Sequence, residues 1–163
     1  MLMANWPADT TAAKNAFYGD FHSPGWQALN LVHMIPPFAM FYDKKPLPHG
    51  ILVHRLIVPA LTLVFNDIWS RCNQDQAAVD KTGASDFGGC FNIRNIAGSN
   101  NWSNHSWACA IDLWPGRNGF NDPNPGFTAD SITVKAFDKQ EFRWGGRYAG
   151  RKDNMHFEAV SPV

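Results

Sequence analysis

"SNHSWACAIDLW", residues 103–114, sets a histidine and an aspartate seven positions apart and runs on into a short apolar stretch. From Trp107 to Trp114 it reads as a strand. Side chains alternate across a strand, so Ala108, Ala110 and Asp112 share one face while Cys109, Ile111 and Leu113 share the other. The first face puts Asp112 over a floor of two alanines with room in front of the carboxylate, and the second supplies core. Seven is an odd separation, so His105 and Asp112 cannot share a face of one straight strand. The chain must bend near Ser106 or Trp107 for them to meet. On a helix they would share a face but stand about 10 Å apart at 1.5 Å per residue. A zinc ion holds its ligands at roughly 2.0–2.2 Å, so the bent loop is the geometry that allows joint coordination.

Around this stretch, "FGGCFNIR" (87–94) and "NMHFEAV" (154–160) are further short apolar runs that read as strands. Leu61, Val64, Phe65, Ile68 and Cys72 recur at helical spacing, which predicts a buried helix from Val58 to about Val79. Pro59 suits its first turn, and "KTG" (81–83) ends it. A turn-rich loop, "PGRNGFNDPNPG" (115–126), leads to a second predicted helix from about Ala129 to Lys139. Residues 1–50 are rich in turn formers and are expected to wrap the core, with one short helix near Trp26 to Val32. Helices grouped against short antiparallel strands argue for an α+β fold. The 163 residues carry no repeat and no charge block, so a single domain over 1–163 is expected.

Composition narrows the partners. Fourteen basic residues balance fourteen acidic ones, so no global field draws the chain to nucleic acid or to an acidic membrane. Cys72, Cys90 and Cys109 match neither a disulfide framework nor a CxxC zinc pattern and read as small buried hydrophobes made in a reducing cytosol. "MLMANWPADT" lacks the basic start and apolar run of a signal peptide, and no stretch reaches membrane-spanning length. Work outside the cytoplasm would therefore need another route of release.

A metal needs a third protein ligand, and "DNMHFE" (153–158) offers one. In a strand there, Met155 and Phe157 would point to the core while His156 and Glu158 face the other way together. His105, Asp112 and His156 would leave the fourth position of one zinc ion open to water, as catalytic sites do. Hydrolysis also needs a group to move protons. Asp153 is the leading candidate and Glu158 the reserve. Spacing alone is equally compatible with a loop-capping His105, a turn-bonding Asp112 and a surface His156.

The two motifs together tip that balance. "SNHSWACAID" resembles the S-x-H-x(6)-D signature, and "DNMH" the (E/D)-x-x-H signature, of the M15 zinc peptidases. That family includes D-Ala-D-Ala carboxypeptidases and dipeptidases and the L-alanyl-D-glutamate endopeptidases of bacteriophage endolysins. The resemblance extends over "IRNIAGSNNWSNHSWACAIDLWP" and "FRWGGRYAGRKDNMHFE", more faintly to "VPALTLVF", and looks most like the endolysin branch. It implies that His105, Asp112 and His156 bind zinc, that Asp153 is the general base, and that Arg94 steadies the oxyanion. Ser103 and Trp144 would match family residues near the substrate. Many relatives have glutamate where Asp153 stands and glycine where Ala108 stands; the extra methyl would narrow the approach to that strand. The implied fold is the small α+β domain shared by D,D-peptidases and Hedgehog signalling domains.

The expected activity is hydrolysis of peptidoglycan stem peptides at the L-alanyl-D-glutamate bond. Its rivals are a D,D-carboxypeptidase or dipeptidase using the same site, and a non-catalytic zinc-stabilised binding module. The expected enzyme is a monomer made in a host cytoplasm, without membrane insertion, and released to the wall through a phage holin. "NDPNPG" (121–126) is oxygen-rich and makes calcium a secondary candidate ion, although the loop lacks EF-hand length.

Overall fold

A computed structural model describes residues 5–163, so the first four residues of the stretch read for a leader lie outside it. Two short helices open the chain: α1 (Thr11–Tyr18), whose first turn is capped by the Thr10 hydroxyl accepting from the Ala13 N–H, and α2 (Trp26–Asn30). Strand β1 (Leu31–Met34) follows at once, and β2 (Phe41–Tyr42) and β3 (Lys45–Pro46) form a tight hairpin. Asp43 and Lys44 both hold positive φ in its two-residue loop, the backbone that matches strand twist. Strand β4 (Ile51–His54) returns to pair antiparallel with β1, with Leu31 opposite His54 and Met34 opposite Ile51. The first fifty residues thus hold more regular structure than their turn-rich composition predicts, and the helix expected over 26–32 gives way to a strand at Leu31.

Helix α3 (Val58–Arg71) has proline in its first turn and buries Leu61, Val64, Phe65 and Ile68, the face read from their spacing. The continuous helix expected to Val79 is broken. Asn73 and Gln74 adopt left-handed φ of 53° and 58°, and Asp75 restarts the chain by capping α4 (Gln76–Lys81), its carboxylate accepting from the Ala78 N–H. Residues 73–76 are all polar, so the apolar spacing lapses at this break and resumes only at 77–79, a signal that the continuous helix expected to Val79 passes over.

The larger sheet has the order β5-β6-β8-β7: β5 (Phe87–Gly89), β6 (Ala110–Leu113), β7 (Arg143–Trp144) and β8 (His156–Glu158), all antiparallel. One face lies on α5 (Ile132–Asp138), the shorter form of the helix predicted over 129–139, and α5 in turn packs on α3. Phe137 of α5 stacks on Phe157 of β8 with ring centroids 4.1 Å apart and meets Phe65 of α3 edge-on at 6.3 Å. Ile111, Leu113 and Phe157 are fully buried there; each such side chain contributes about 1.5–3 kcal/mol of transfer free energy. The opposite face carries Asp112, His156 and Glu158. These layers give the α+β architecture expected, with small antiparallel sheets and helices.

Strand β5 is shorter than the run 87–94 predicts. A register shift between Phe87 and Gly89 takes the chain out of the sheet, and residues 90–94 instead run beside residues 103–106. No helix among the described residues is long and apolar enough to cross a membrane. All three cysteines are buried free thiols.

Candidate metal centre

The bend that the odd spacing demands is present. Residues 104–107 form a 3-10 turn, and Ala108 leaves it in the left-handed region at φ 51°, ψ 32° before β6 begins at Ala110. Ala108 is therefore not part of the strand, and the expected floor of two alanines is replaced by Ala110 alone. Its methyl is fully buried in the core, so it does not narrow the groove. Left-handed backbone explains why glycine suits this place.

Neighbouring segments hold the turn. The Ser103 hydroxyl caps it by accepting from the His105 N–H at 3.4 Å. The Arg94 carbonyl accepts from the Ser103 N–H at 2.9 Å and from the Ser106 hydroxyl at 3.1 Å. The early exit of residues 90–94 from the sheet thus has a use: it clamps the histidine turn and brings Arg94 to the edge of the site.

Asp112 and His156 are direct cross-strand partners in β6 and β8, on the same face. Asp112 Oδ1 lies 3.0 Å from His156 Nδ1, Asp112 Oδ2 lies 3.2 Å from His105 Nε2, and the two ring nitrogens are 3.2 Å apart. These contacts use both Asp112 oxygens; with one ligand atom taken from each residue, the three atoms lie within 4.8 Å of one another, near enough for side-chain adjustment to reach the about 3.4 Å that separates ligands held at ~2.1 Å by a tetrahedral ion. Among the described residues, His105, Asp112 and His156 form the group of three ligating side chains that could hold a metal ion.

The outer nitrogens fit the same use. His105 Nδ1 lies 2.7 Å from the Cys90 carbonyl, which only accepts, so Nδ1 carries the hydrogen and Nε2 offers its lone pair to the site. His156 Nε2 lies 2.9 Å from Glu158 Oε2, so Nε2 carries the hydrogen and Nδ1 faces inward. Metal-ligating histidines are held in this way by acceptors behind them.

Electrostatics in the metal-free protein follow. Burial raises the Asp112 pKa, but hydrogen bonds and charge from His105 and His156 outweigh it and hold the carboxyl well below its usual range. Burial lowers His156, yet Asp112 and Glu158 on its two sides push it well above the usual value. The trio could hold a cation, and a metal bound there would replace that proton.

Asp153 enters on the turn before β8, where the His156 N–H donates to its carbonyl at 3.2 Å. Its side chain lines a cleft with His105 and His156, and its Oδ1 is buried with no hydrogen-bond partner. Burial raises its pKa, partly offset by the charge of His156. Gly145 makes this seat possible: a Cβ there would stand 2.3 Å from the Asp153 carbonyl oxygen and 3.1 Å from its Cβ.

Two clefts meet at the cluster and share Arg94 and His105. One runs past Tyr42, Phe87 and Phe91, the other past Asp153, Tyr148 and Arg151. Ser103 lines the second. Trp144 lines neither: it is buried, and its indole N–H donates to the Asn154 carbonyl at 2.8 Å, so it braces the Asp153 turn from beneath instead of walling the groove. Glu158, the reserve base of the sequence reading, is committed elsewhere. Its Oε2 accepts from His156 and, at 2.7 Å, from the Asn104 amide. Burial raises its pKa, but His156, Tyr148 and Asn104 hold it at about 2. Sequence reasoning passed over Asn104 and its partner Lys14; nothing in their spacing marks them. In the "NDPNPG" loop, Asp122 accepts from the Asn124 N–H at 2.8 Å, a bond within the loop itself.

No curated protein and no solved structure matches the chain. Residues 97–159, fewer than half of the chain, match the M15 family model described as D-alanyl-D-alanine carboxypeptidase. That stretch holds the three clustered residues and Asp153 but begins after Arg94, and the match supports a peptidase of the M15 family.

Proposed function

We propose that the protein is a zinc-dependent peptidase that hydrolyses the peptide stems of bacterial peptidoglycan, most directly at the L-alanyl-D-glutamate bond. The observation that carries this reading is the His105–Asp112–His156 triangle with the unpartnered Asp153 carboxylate in the same cleft. His105 Nε2, His156 Nδ1 and an Asp112 oxygen would hold the ion. When bound there, zinc would supply Lewis acidity toward the scissile carbonyl and lower the pKa of water to about 7. Asp153 takes a proton from the attacking water and returns it to the leaving amine. Its burial-raised pKa suits both halves of that exchange. Arg94, at the junction of the two clefts, offers its guanidinium to the developing oxyanion. Ser103 borders the substrate path.

Clefts on both sides of the cluster support cleavage within a stem. In this reading the chain is a monomeric endolysin made in a host cytoplasm and released to the wall through a phage holin. The description of the matching family favours a second reading, a D,D-carboxypeptidase or dipeptidase acting on D-Ala-D-Ala termini. A non-catalytic zinc-stabilised module has no use for a buried, unpartnered carboxylate beside the ligands.

Digestion of purified cell walls tests the proposal. Newly exposed D-glutamate amino groups, lost with a chelator and restored by zinc, support the endopeptidase. Released D-alanine supports the second reading, and walls left intact at every zinc level contradict both.

A further inference from the structure

Behind His156 lies a buried polar chain that starts far outside the residues matched to the family. Lys14 of α1 is 4 % exposed, Asn104 6 % and Glu158 3 %. The Lys14 ammonium donates to Asn104 Oδ1 at 2.6 Å and to Asp9 Oδ1 at 2.9 Å, and it lies 4.4 Å over the Trp107 ring. Asn104 Nδ2 then donates to Glu158 Oε2 at 2.7 Å, and the same oxygen accepts from His156 Nε2 at 2.9 Å. Arg143 flanks the chain, donating to Asp9 Oδ2 at 3.2 Å, with Glu158 Oε1 3.3 Å from its guanidinium.

Donor and acceptor roles give this chain a direction. An ammonium has three donors and no acceptor, so the Asn104 oxygen must face Lys14. Its amide hydrogens are then left for Glu158. Turned over, the amide would set NH2 against the ammonium and its oxygen against a carboxylate. The Asn104 hydrogen bond in turn fixes the oxygen that receives His156 Nε2–H, which leaves Nδ1 toward Asp112 and His105. Buried ionic groups contribute little net stability compared with well-packed apolar residues. Orientation is what a lysine at this depth adds.

We propose that Lys14 is a positioning residue of the metal centre: through Asn104 and Glu158 it holds His156 in the orientation and tautomer that present Nδ1 to the ion. The amino-terminal helix is thereby part of the site. The inference rests on the metal reading above and goes beyond the residues that would touch the ion.

Zinc affinity of the full chain, measured by competition with a chromophoric chelator at a temperature where circular dichroism shows the folded protein, reads this role directly. Lys14→Met should weaken zinc binding at least about threefold, toward the ~10–100-fold that losing a direct partner of a ligating histidine costs. Asn104→Ala keeps the Lys14–Asp9 pair and should lose a similar factor, and it serves should Lys14→Met not fold. Nitrogen-15 spectra of the zinc-loaded wild type should show His156 protonated at Nε2 and metallated at Nδ1. A purely structural lysine would lower the melting temperature and leave the affinity of folded protein unchanged. Zinc bound equally by wild type and folded variants, or held through His156 Nε2, overturns this inference alone. A wild type that takes up no zinc overturns it together with the metal reading.

Discussion

Asp112 and His156 face each other across an antiparallel register, and that pairing puts Oδ1 of one 3.0 Å from Nδ1 of the other. Two of the three candidate ligands are thus fixed by the sheet, and the third is delivered by the 3-10 turn. Asp112→Ala should leave the sheet intact, because the residue sits on the face away from the core. It should weaken zinc binding by more than about 100-fold, beyond the loss of an outer partner. Isothermal titration against the wild type checks this.

In the proposed mechanism Asp153 moves protons and does not bind the metal. Asp153→Ala should retain a full complement of zinc while kcat falls by about 10²–10⁴, the range that a positioned acid–base group supplies. Metal analysis and wall digestion on the same preparation separate the two effects, and retained turnover would refute the role.

Gly145 is required by its neighbour. A methyl there would collide with the Asp153 backbone at 2.3 Å, and the obstacle is main chain, which cannot swing aside as a flexible side chain could. Gly145→Ala should therefore displace Asp153 and lower kcat at least tenfold, with zinc content changed far less than activity. Gly146 serves Trp144 similarly, since a Cβ there would stand 2.3 Å from the indole ring.

The chelated protein should be most stable in mildly acidic solution. Glu158 has a folded pKa of about 2 against its usual 4.5, so its contribution is present above 4.5 and lost as pH falls toward 2. Asp112, lowered by its histidines, acts in the same sense below 3.8. Asp153 and Asp86, raised by burial, act in the opposite sense. His156 is raised above 6.5, so its contribution is complete below 6.5 and is lost as pH rises through its folded pKa. Burial holds His54 down at about 4, so its contribution is complete above 6.5 and is lost as pH falls toward 4; thermal unfolding with a chelator should therefore give a maximum near pH 6.5. Saturating zinc should flatten the alkaline side, since the ion replaces the His156 proton.

Much of the site was legible because its residues lie where local rules apply. The odd separation of His105 and Asp112 demanded a bend, and the turn at 104–107 supplies it. Alternation put His156 and Glu158 on one face, and the structure agrees. What failed was set by tertiary contacts. Ala108 continued the strand pattern, yet a left-handed backbone takes it out of the sheet and into the core. Asn73 and Gln74 interrupt the helix expected to Val79 with left-handed backbone, inside the all-polar run 73–76. Trp144, which by resemblance matches a family residue near the substrate, is buried, and its indole donates to the Asn154 carbonyl. Lys14 could not be found at all, because its partner Asn104 is 90 positions away and no periodicity links them.

X-ray absorption at the zinc edge of the loaded protein tests the central claim most directly. One zinc per chain is expected, with nitrogen and oxygen neighbours at about 2.0–2.2 Å and no sulfur. A shell at about 2.3 Å, the distance of cysteine sulfur, or no stoichiometric zinc would contradict it.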